Sequence, residues 1–434
     1  MGEDVASVPT VGIDGFNLVL THGTGVATYG LALAEAVKSL SLSVQGIFGV
    51  PVGRDPGLRE VLYYEAMGRG LPPRTSPRWL RPVIDRIATM RGIQLLPIVE
   101  SGRVERRGFV DRLPTFDRLY SAAYLFERAE KHFRRTLSFL ELEMPDPPSI
   151  MHWTYPIPIR IAGARNIYTL HDLVPLKLPF ATLDKKRLYQ KLVARCVADA
   201  DHIVTVSESS RRDIIELLGA PEDRVTNTYQ HSPMPAQGSE LADVASIFGV
   251  KPRQYFLYFG AIEPKKNISR LVEAYLSTNS ATPLVLVGAR AWQKDDELRL
   301  VDAIARRGGA DGARIIQLEY LPRRLLMHLV SHAKAVLFPS LYEGFGLPVL
   351  EAMQLGVPVI TSTEGSLPEV AGDAALAIDP YDVAALSAAI RRVDHDAELR
   401  VRLAGAGRVQ AARFSLDAHR RRLHSVYSRV LAGA

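Results

Sequence analysis

The chain is nearly free of cysteine: Cys196 is the single one in 434 residues, so no internal disulfide can staple the fold. No run of about 18 apolar residues is free of charge, which excludes a strongly apolar spanning helix. Met1 to Val11 carries Glu3 and Asp4 and no apolar stretch, unlike a secretory leader. These absences lead to the expectation of a cytoplasmic chain in a reducing compartment. A metal centre is not expected either. Asp295 and Asp296 are adjacent acids, but no histidine or third acid stands at ligand spacing, and the pair reads as the first turn of a helix. Helix-turn-helix, zinc-ligand and RNA-binding signatures are missing, which argues against nucleic acid as a partner. Internal repeats and low-complexity segments are missing too.

What is present exceeds one core, because single hydrophobic cores stop growing near ~250–300 residues. With 47% hydrophobic and 23% charged residues the composition is that of a globular protein. Two domains follow. Net charge is only +6, yet its distribution is uneven. Nine arginines fall between Arg74 and Arg112, offset by Asp85, Glu100, Glu105 and Asp111. Trp79, Leu95, Leu96 and Phe109 are interleaved with them, as on a surface that meets anionic headgroups or a pyrophosphate-bearing acceptor. A solvated arginine-rich face is the alternative.

Short apolar runs alternate with longer helical periodicities, the pattern of an α/β protein with parallel sheets. It occurs twice. The first set of expected strands is Val11–Asp14, Val44–Phe48, Gly92–Ile98, Ile150–Trp153, Asn166–Leu170 and His202–Val206. The second is Tyr255–Phe259, Leu284–Val287, Arg314–Leu318, Ala335–Phe338 and Val357–Ile360. Between them the loop formers of His231 to Gly238 read as the linker. The fold class is therefore α/β, two doubly wound Rossmann-like domains facing a central cleft, with ligands at the carboxyl ends of the strands. The expected division is 1–235, 236–414, and a terminal helix, 415–434, packing back on the first domain. From Asp382 onward the pattern is helical, with a break near Phe414-Ser415.

The stretch Phe338 to Met353 carries the most chemistry. A buried strand ends at Phe338, a glycine-flanked turn follows, and Pro348 stands where a helix should begin. The amides of Gly344, Phe345, Gly346 and Leu347 then point out of a helix N-terminus, a site for pyrophosphate. Glu343 precedes the helix and Glu351 leans back toward the same place. Bare glutamates favouring a helix start are the plainer reading.

Two glutamates seven residues apart in this setting, followed by Gly356-Val357-Pro358-Val359-Ile360 and Leu367-Pro368-Glu369-Val370-Ala371-Gly372, resemble the signature of family-4 retaining glycosyltransferases. The resemblance spans nearly the whole chain and is strongest from Tyr255 to Ala375. It implies the GT-B fold and transfer of a hexose from a nucleotide diphosphate sugar without a catalytic metal or other cofactor. Mannose from GDP-mannose is the first expectation and UDP-glucose the second. The implied acceptor is a glycan or polyprenyl-diphosphate-linked glycan in bacterial polysaccharide synthesis, reached at the inner, anionic face of a membrane.

The same resemblance assigns residues. Lys266 matches the family's phosphate-binding lysine, whereas Ala261 stands where an arginine is usual, and Lys265 is the natural substitute. His171, at the end of a central strand, is placed on the transferring sugar, with Asp172 either orienting it or capping the next turn. Gly25 belongs to a glycine loop beside the donor phosphates. Tyr320 follows the strand whose backbone meets the base. Catalysis is thus assigned to His171, Lys266 and Glu343, and donor binding to Gly25, Lys265, Gly344, Phe345, Gly346, Leu347, Glu351 and Tyr320. Ser207-Glu208-Ser209 reads as a helix cap, and Asn267 as another. The rival readings are a nucleotide-sugar epimerase or phosphorylase on the same scaffold and a catalytically silent sugar-nucleotide-binding subunit.

Overall fold

The computed structural model describes residues 8–20, 25–70, 73–74, 76–90, 92–102, 104, 109, 113–182, 185–235, 247–288, 294–307 and 314–433. Sixteen strands among them form three sheets. The first sheet holds β1 (Thr10–Asp14), β2 (Ser43–Phe48), β3 (Leu96–Ile98), β4 (Arg118–Ser121), β6 (Ile150–Trp153), β8 (Arg165–Thr169), β9 (His202–Thr205) and β10 (Val225–Asn227). Its order is β10-β9-β8-β6-β1-β2-β4-β3, and only β3 runs antiparallel. A separate parallel pair joins β5 (Leu140–Leu142) to β7 (Ile159–Ile161). The second sheet holds β11 (Phe256–Phe259), β12 (Leu284–Val287), β13 (Ile315–Leu318), β14 (Ala335–Phe338), β15 (Val359–Ser362) and β16 (Leu376–Ile378). All of its pairings are parallel, in the order β13-β12-β11-β14-β15-β16.

Strands covered by helices on both faces must be apolar throughout. Phe256-Leu257-Tyr258-Phe259 and Ala335-Val336-Leu337-Phe338 meet that demand, and every one of these side chains is buried. Two expected strands are displaced. Gly92–Ile98 contracts to Leu96–Ile98, and its Pro97 is tolerated because β3 is the sheet edge. Val357–Ile360 begins two residues late, because Gly356 at φ +66° closes the preceding helix and Pro358 has no N–H for the ladder.

The strand orders place the chemistry. In the second sheet β11 and β14 are neighbours whose following helices depart to opposite sides, the switch point where α/β sheets open a crevice. In the first sheet the same reversal falls between β1 and β6. Helix Leu416–Ala432 lies along helix Gly25–Ser39 of the first half, and Tyr427 Oη is hydrogen-bonded to His152 Nδ1 at 2.7 Å. The break before it is capped by Ser415. A second break, not expected, falls at Asp396, whose carboxylate accepts the Leu399 amide at 2.8 Å. The linker is not a solvated loop at its start: His231 and Ser232 are buried, and residues 236–238 lie outside the described ones.

Candidate active site

At the carboxyl end of β11 the chain makes a short 3-10 turn, Pro264–Lys266, and at the end of β14 it enters the turn before helix Leu347–Gln354. The Leu341 amide donates to the Lys265 carbonyl at 2.7 Å, tying the two turns together. Lys266 Nζ reaches Glu343 Oε1 at 2.5 Å and lies over the Phe338 ring, 5.1 Å from its centre. Lys265 Nζ is 3.6 Å from Glu263 Oε1. Burial pushes the Glu343 carboxyl up, but the ammonium groups of Lys266 and Lys265 overcome it and hold the group below the usual carboxylate range. Burial likewise works against the Lys265 charge, and Glu343, Asp172 and Glu263 outweigh it, so that ammonium is held above its ordinary range.

The amides of Gly344, Phe345, Gly346 and Leu347 make no hydrogen bond with any described residue. Gly346 caps the helix at φ +103°, where a Cβ would stand 2.6 Å from Leu367 Cδ2, so this turn requires glycine. Pro348 is the second helical residue rather than the first. Asn267 differs from expectation: it sits at φ +63° without capping through its side chain, and its amide instead donates to the carbonyls of Pro339 and Pro380.

Across the crevice, His171 follows β8. Its Nε2–H donates to the Thr154 carbonyl at 2.8 Å, and the Tyr29 ring meets it edge-on with centroids 4.8 Å apart. Burial lowers its pKa, against the backbone hydrogen bond and the nearby Asp172 charge, so the ring is neutral with its lone pair on Nδ1. Asp172 caps the next turn, accepting the Val174 amide at 3.1 Å, and Thr154 orients the histidine. A cavity of about 370 Å³ is lined by His171, Asp172 and Val26 from one half and by Glu263 and Lys265 from the other. It shares Tyr155, Pro156 and Tyr189 with a mainly apolar groove of about 450 Å³ that Phe16, Tyr124, Phe126 and Phe133 help to line.

Models of two families match this chain: "Glycosyltransferase Family 4" over residues 86–229 and "Glycosyl transferases group 1" over residues 245–410. O-antigen chain mannosyltransferase B of Escherichia coli is 38% identical over 261 residues, which is 58% of this chain and 67% of that relative. The chain belongs to this glycosyltransferase family. A second Escherichia coli relative, the serotype-specific mannosyltransferase WbdA, is 29% identical over 61% of this chain and 33% of its own length. The chain thus spans about two thirds of the first relative and about one third of the second. The sucrose-phosphate synthase structure from Thermosynechococcus elongatus superposes with a TM-score of 0.65 at 18% identity, covering 98% of this chain and 100% of that one. The fold of the glycosyltransferase is GT-B.

The expected residues do not all converge. Gly25 opens helix Gly25–Ser39, and a Cβ there would stand 3.7 Å from Leu347 Cδ1 across the crevice. The Phe345 ring turns into the core against Phe414, leaving only its amide in the turn. Glu351 is buried, and its Oε1 accepts from Ser232 at 2.8 Å and Arg323 at 2.9 Å. Tyr320 lies two residues past β13, half exposed. Helix Lys294–Arg307 begins at the acidic pair, as expected. Among the described residues no group of histidines, cysteines and acids is arranged to hold a metal, and no helix is long and apolar enough to cross a membrane.

Sequence reasoning missed the groups that hold the two halves together. Gly344 packs on His171 so closely that a Cβ would lie 2.5 Å from the His171 carbonyl oxygen. Ser210 Oγ donates to that same carbonyl at 2.8 Å and, across the crevice, to the Gly344 carbonyl at 3.4 Å. Glu369 accepts the Glu208 amide at 2.8 Å, at the N-terminus of helix Glu208–Leu218, where a carboxylate is favoured. Tyr342 Oη donates to Asp213. Asp14 was missed as well. Fully buried at the end of β1, it accepts the Thr154 amide at 2.5 Å and the Phe16 amide at 3.1 Å. It therefore fixes the residue that fixes His171.

Proposed function

We propose that this glycosyltransferase moves mannose from GDP-mannose to a hydroxyl of a glycan or polyprenyl-diphosphate-linked glycan, with retention of configuration, in bacterial polysaccharide synthesis. The similarity to mannosyltransferases supports the sugar. One observation carries the chemistry. Two half-buried lysines and four amides that make no hydrogen bond with any described residue lie in adjoining turns at one end of the crevice, opposite a neutral histidine.

In this reading the diphosphate rests on Lys265, Lys266 and the amides of Gly344 to Leu347. Glu343 and Glu351 hold sugar and ribose hydroxyls, Tyr320 lies beside the base, and Gly25 lets the first helix approach the phosphates. As the bond from the anomeric carbon to the phosphate oxygen breaks, negative charge grows on the diphosphate, and these fixed donors stabilise it. The acceptor oxygen forms the new bond on the face the diphosphate leaves and gives its proton to a phosphate oxygen. His171 Nδ1 lies against the sugar. The acceptor approaches through the aromatic groove, and a lipid-carried acceptor sets the enzyme at the cytoplasmic face of a membrane.

A thermal-shift comparison of GDP-mannose with UDP-glucose tests the donor, because a ligand that binds only the folded form raises apparent stability. GDP-mannose is expected to give the larger shift. A larger shift with UDP-glucose overturns the sugar assignment. Release of nucleotide diphosphate only when acceptor is present supports transfer, whereas donor consumption without acceptor supports the epimerase reading.

A further inference from the structure

Helix Arg81–Met90 turns an apolar face to solvent. Val83, Ile84 and Ile87 are 53%, 38% and 46% exposed, and Trp79, just before the helix, is 76% exposed. Positions 83, 84 and 87 share one side of a helix. The basic residues Arg78 and Arg86 are exposed beside them, with no ion pair to any described residue. The helix has one acid, Asp85, and it points inward. There it is bound by Arg74, by Arg128 at 3.2 Å and by Lys131 at 3.3 Å, and the Arg74 guanidinium stacks over the Tyr124 ring at 4.7 Å. Three cations thus remove the helix's one negative charge from its outer face. What remains outside is tryptophan, branched aliphatics and arginine.

We propose that this face seats the enzyme on an anionic lipid bilayer, with Trp79, Val83, Ile84 and Ile87 in the headgroup boundary and Arg78 and Arg86 on lipid phosphates. Short helices with one apolar and one basic side lie in that plane, and arginines near the surface add attraction to anionic headgroups. Tryptophan favours the same depth. Charge argues against a second copy as the occupant, since a two-fold contact would set arginine against arginine.

The proposal deepens the reading of a lipid-carried acceptor and rests on it for purpose. The inner side of the helix meets helix Leu125–Thr136 through the Asp85 cluster. Tyr124, beneath Arg74, and Glu127, paired with both Arg74 and Lys131, line the aromatic groove that leads to His171. Docking by this face would bring the groove beside the bilayer.

The test uses the full chain, without donor or acceptor, and vesicles of phosphatidylcholine alone or with phosphatidylglycerol. The wild type is expected to co-sediment with the anionic vesicles, less at high salt. A Trp79→Ser, Val83→Ser, Ile87→Ser triple variant and an Arg78→Glu, Arg86→Glu pair should each lose about tenfold in binding. An unchanged melting temperature in both variants shows that the fold is intact. Wild-type binding independent of phosphatidylglycerol, or a triple variant that binds as well as wild type, overturns the proposal. So does a concentration-dependent dimer that the triple variant abolishes without any vesicle binding. Since no sugar transfer enters the measurement, failure of the mannosyl reading leaves this result standing.

Discussion

Asp14 is a carboxyl group with no room for water. Burial pushes its pKa up to about 6, against the hydrogen bonds from Thr154 and Phe16 that favour the ionised form. A carboxyl raised in the folded state binds its proton more tightly there than in the unfolded chain. Its contribution to stability is therefore greatest below about pH 4 and declines until the pH has passed about 6. Asp14→Asn removes this titration. The gap between variant and wild type, followed by urea unfolding from pH 4 to pH 7, should move in the variant's favour by about 2.4 kcal/mol; a constant gap means Asp14 titrates normally. Nothing in the sequence marks Asp14, because one acid at a strand end has the same pattern whether buried or solvated. Lys266 and Glu343 are different. Their spacing and their place after apolar strands made them legible, and only their direct contact had to come from the fold. Lys265, the expected substitute for the arginine absent at Ala261, lies 3.6 Å from Glu263 Oε1.

Elements carry the next level of design. Helix Leu416–Ala432 leaves the second half and packs on the first, and its most specific tie is Tyr427 to His152. That histidine also meets Thr169 Oγ1 at 2.8 Å, and burial, reinforced by His171 and His202, lowers its pKa to about 3, so it is neutral and each nitrogen needs a partner. Removing the hydroxyl leaves Nδ1 buried and unpaired. Tyr427→Phe should cost about 1–3 kcal/mol and lower the melting temperature; a variant as stable as wild type shows that the bond is not what fixes this helix. The break at Phe414-Ser415 was legible because the apolar period restarts after it. The break at Asp396 was not, because Asp396 ends one helix and caps the next without interrupting the apolar face. Strands β4, β5, β7, β10 and β16 escaped for a related reason. Each has three or four residues; Arg118, Glu141, Arg160 and Thr226 break the apolar pattern of β4, β5, β7 and β10, and β16, Leu376-Ala377-Ile378, is too short to show one.

The whole molecule is a crevice held shut from both rims. Gly344 touches His171, Ser210 donates to the Gly344 carbonyl, and Glu369 sits on a helix N-terminus of the opposite half. Such closure excludes water that would otherwise hydrolyse the donor. A methyl group at position 344 has no space in the closed form. Gly344→Ala should therefore widen the molecule in small-angle scattering and lower kcat while leaving the melting temperature within a few degrees. Unchanged scattering with unchanged kcat would show that the two rims need not meet. Two doubly wound sheets and their facing crevice were readable from alternating apolar runs, since parallel strands buried on both faces leave that mark. The contacts that close them were not, because Gly344, Ser210 and Glu369 are ordinary residues in turns and helices until the halves are brought together.

The central step is stabilisation of the departing diphosphate by the lysines and amides at one end of the crevice. Acceptor-dependent release of nucleotide diphosphate by Lys266→Ala, measured at saturating donor with melting temperature as the control for folding, tests this directly. The expected result is a folded variant whose kcat falls by about 10²–10³-fold. A folded variant that transfers sugar at the wild-type rate would contradict it.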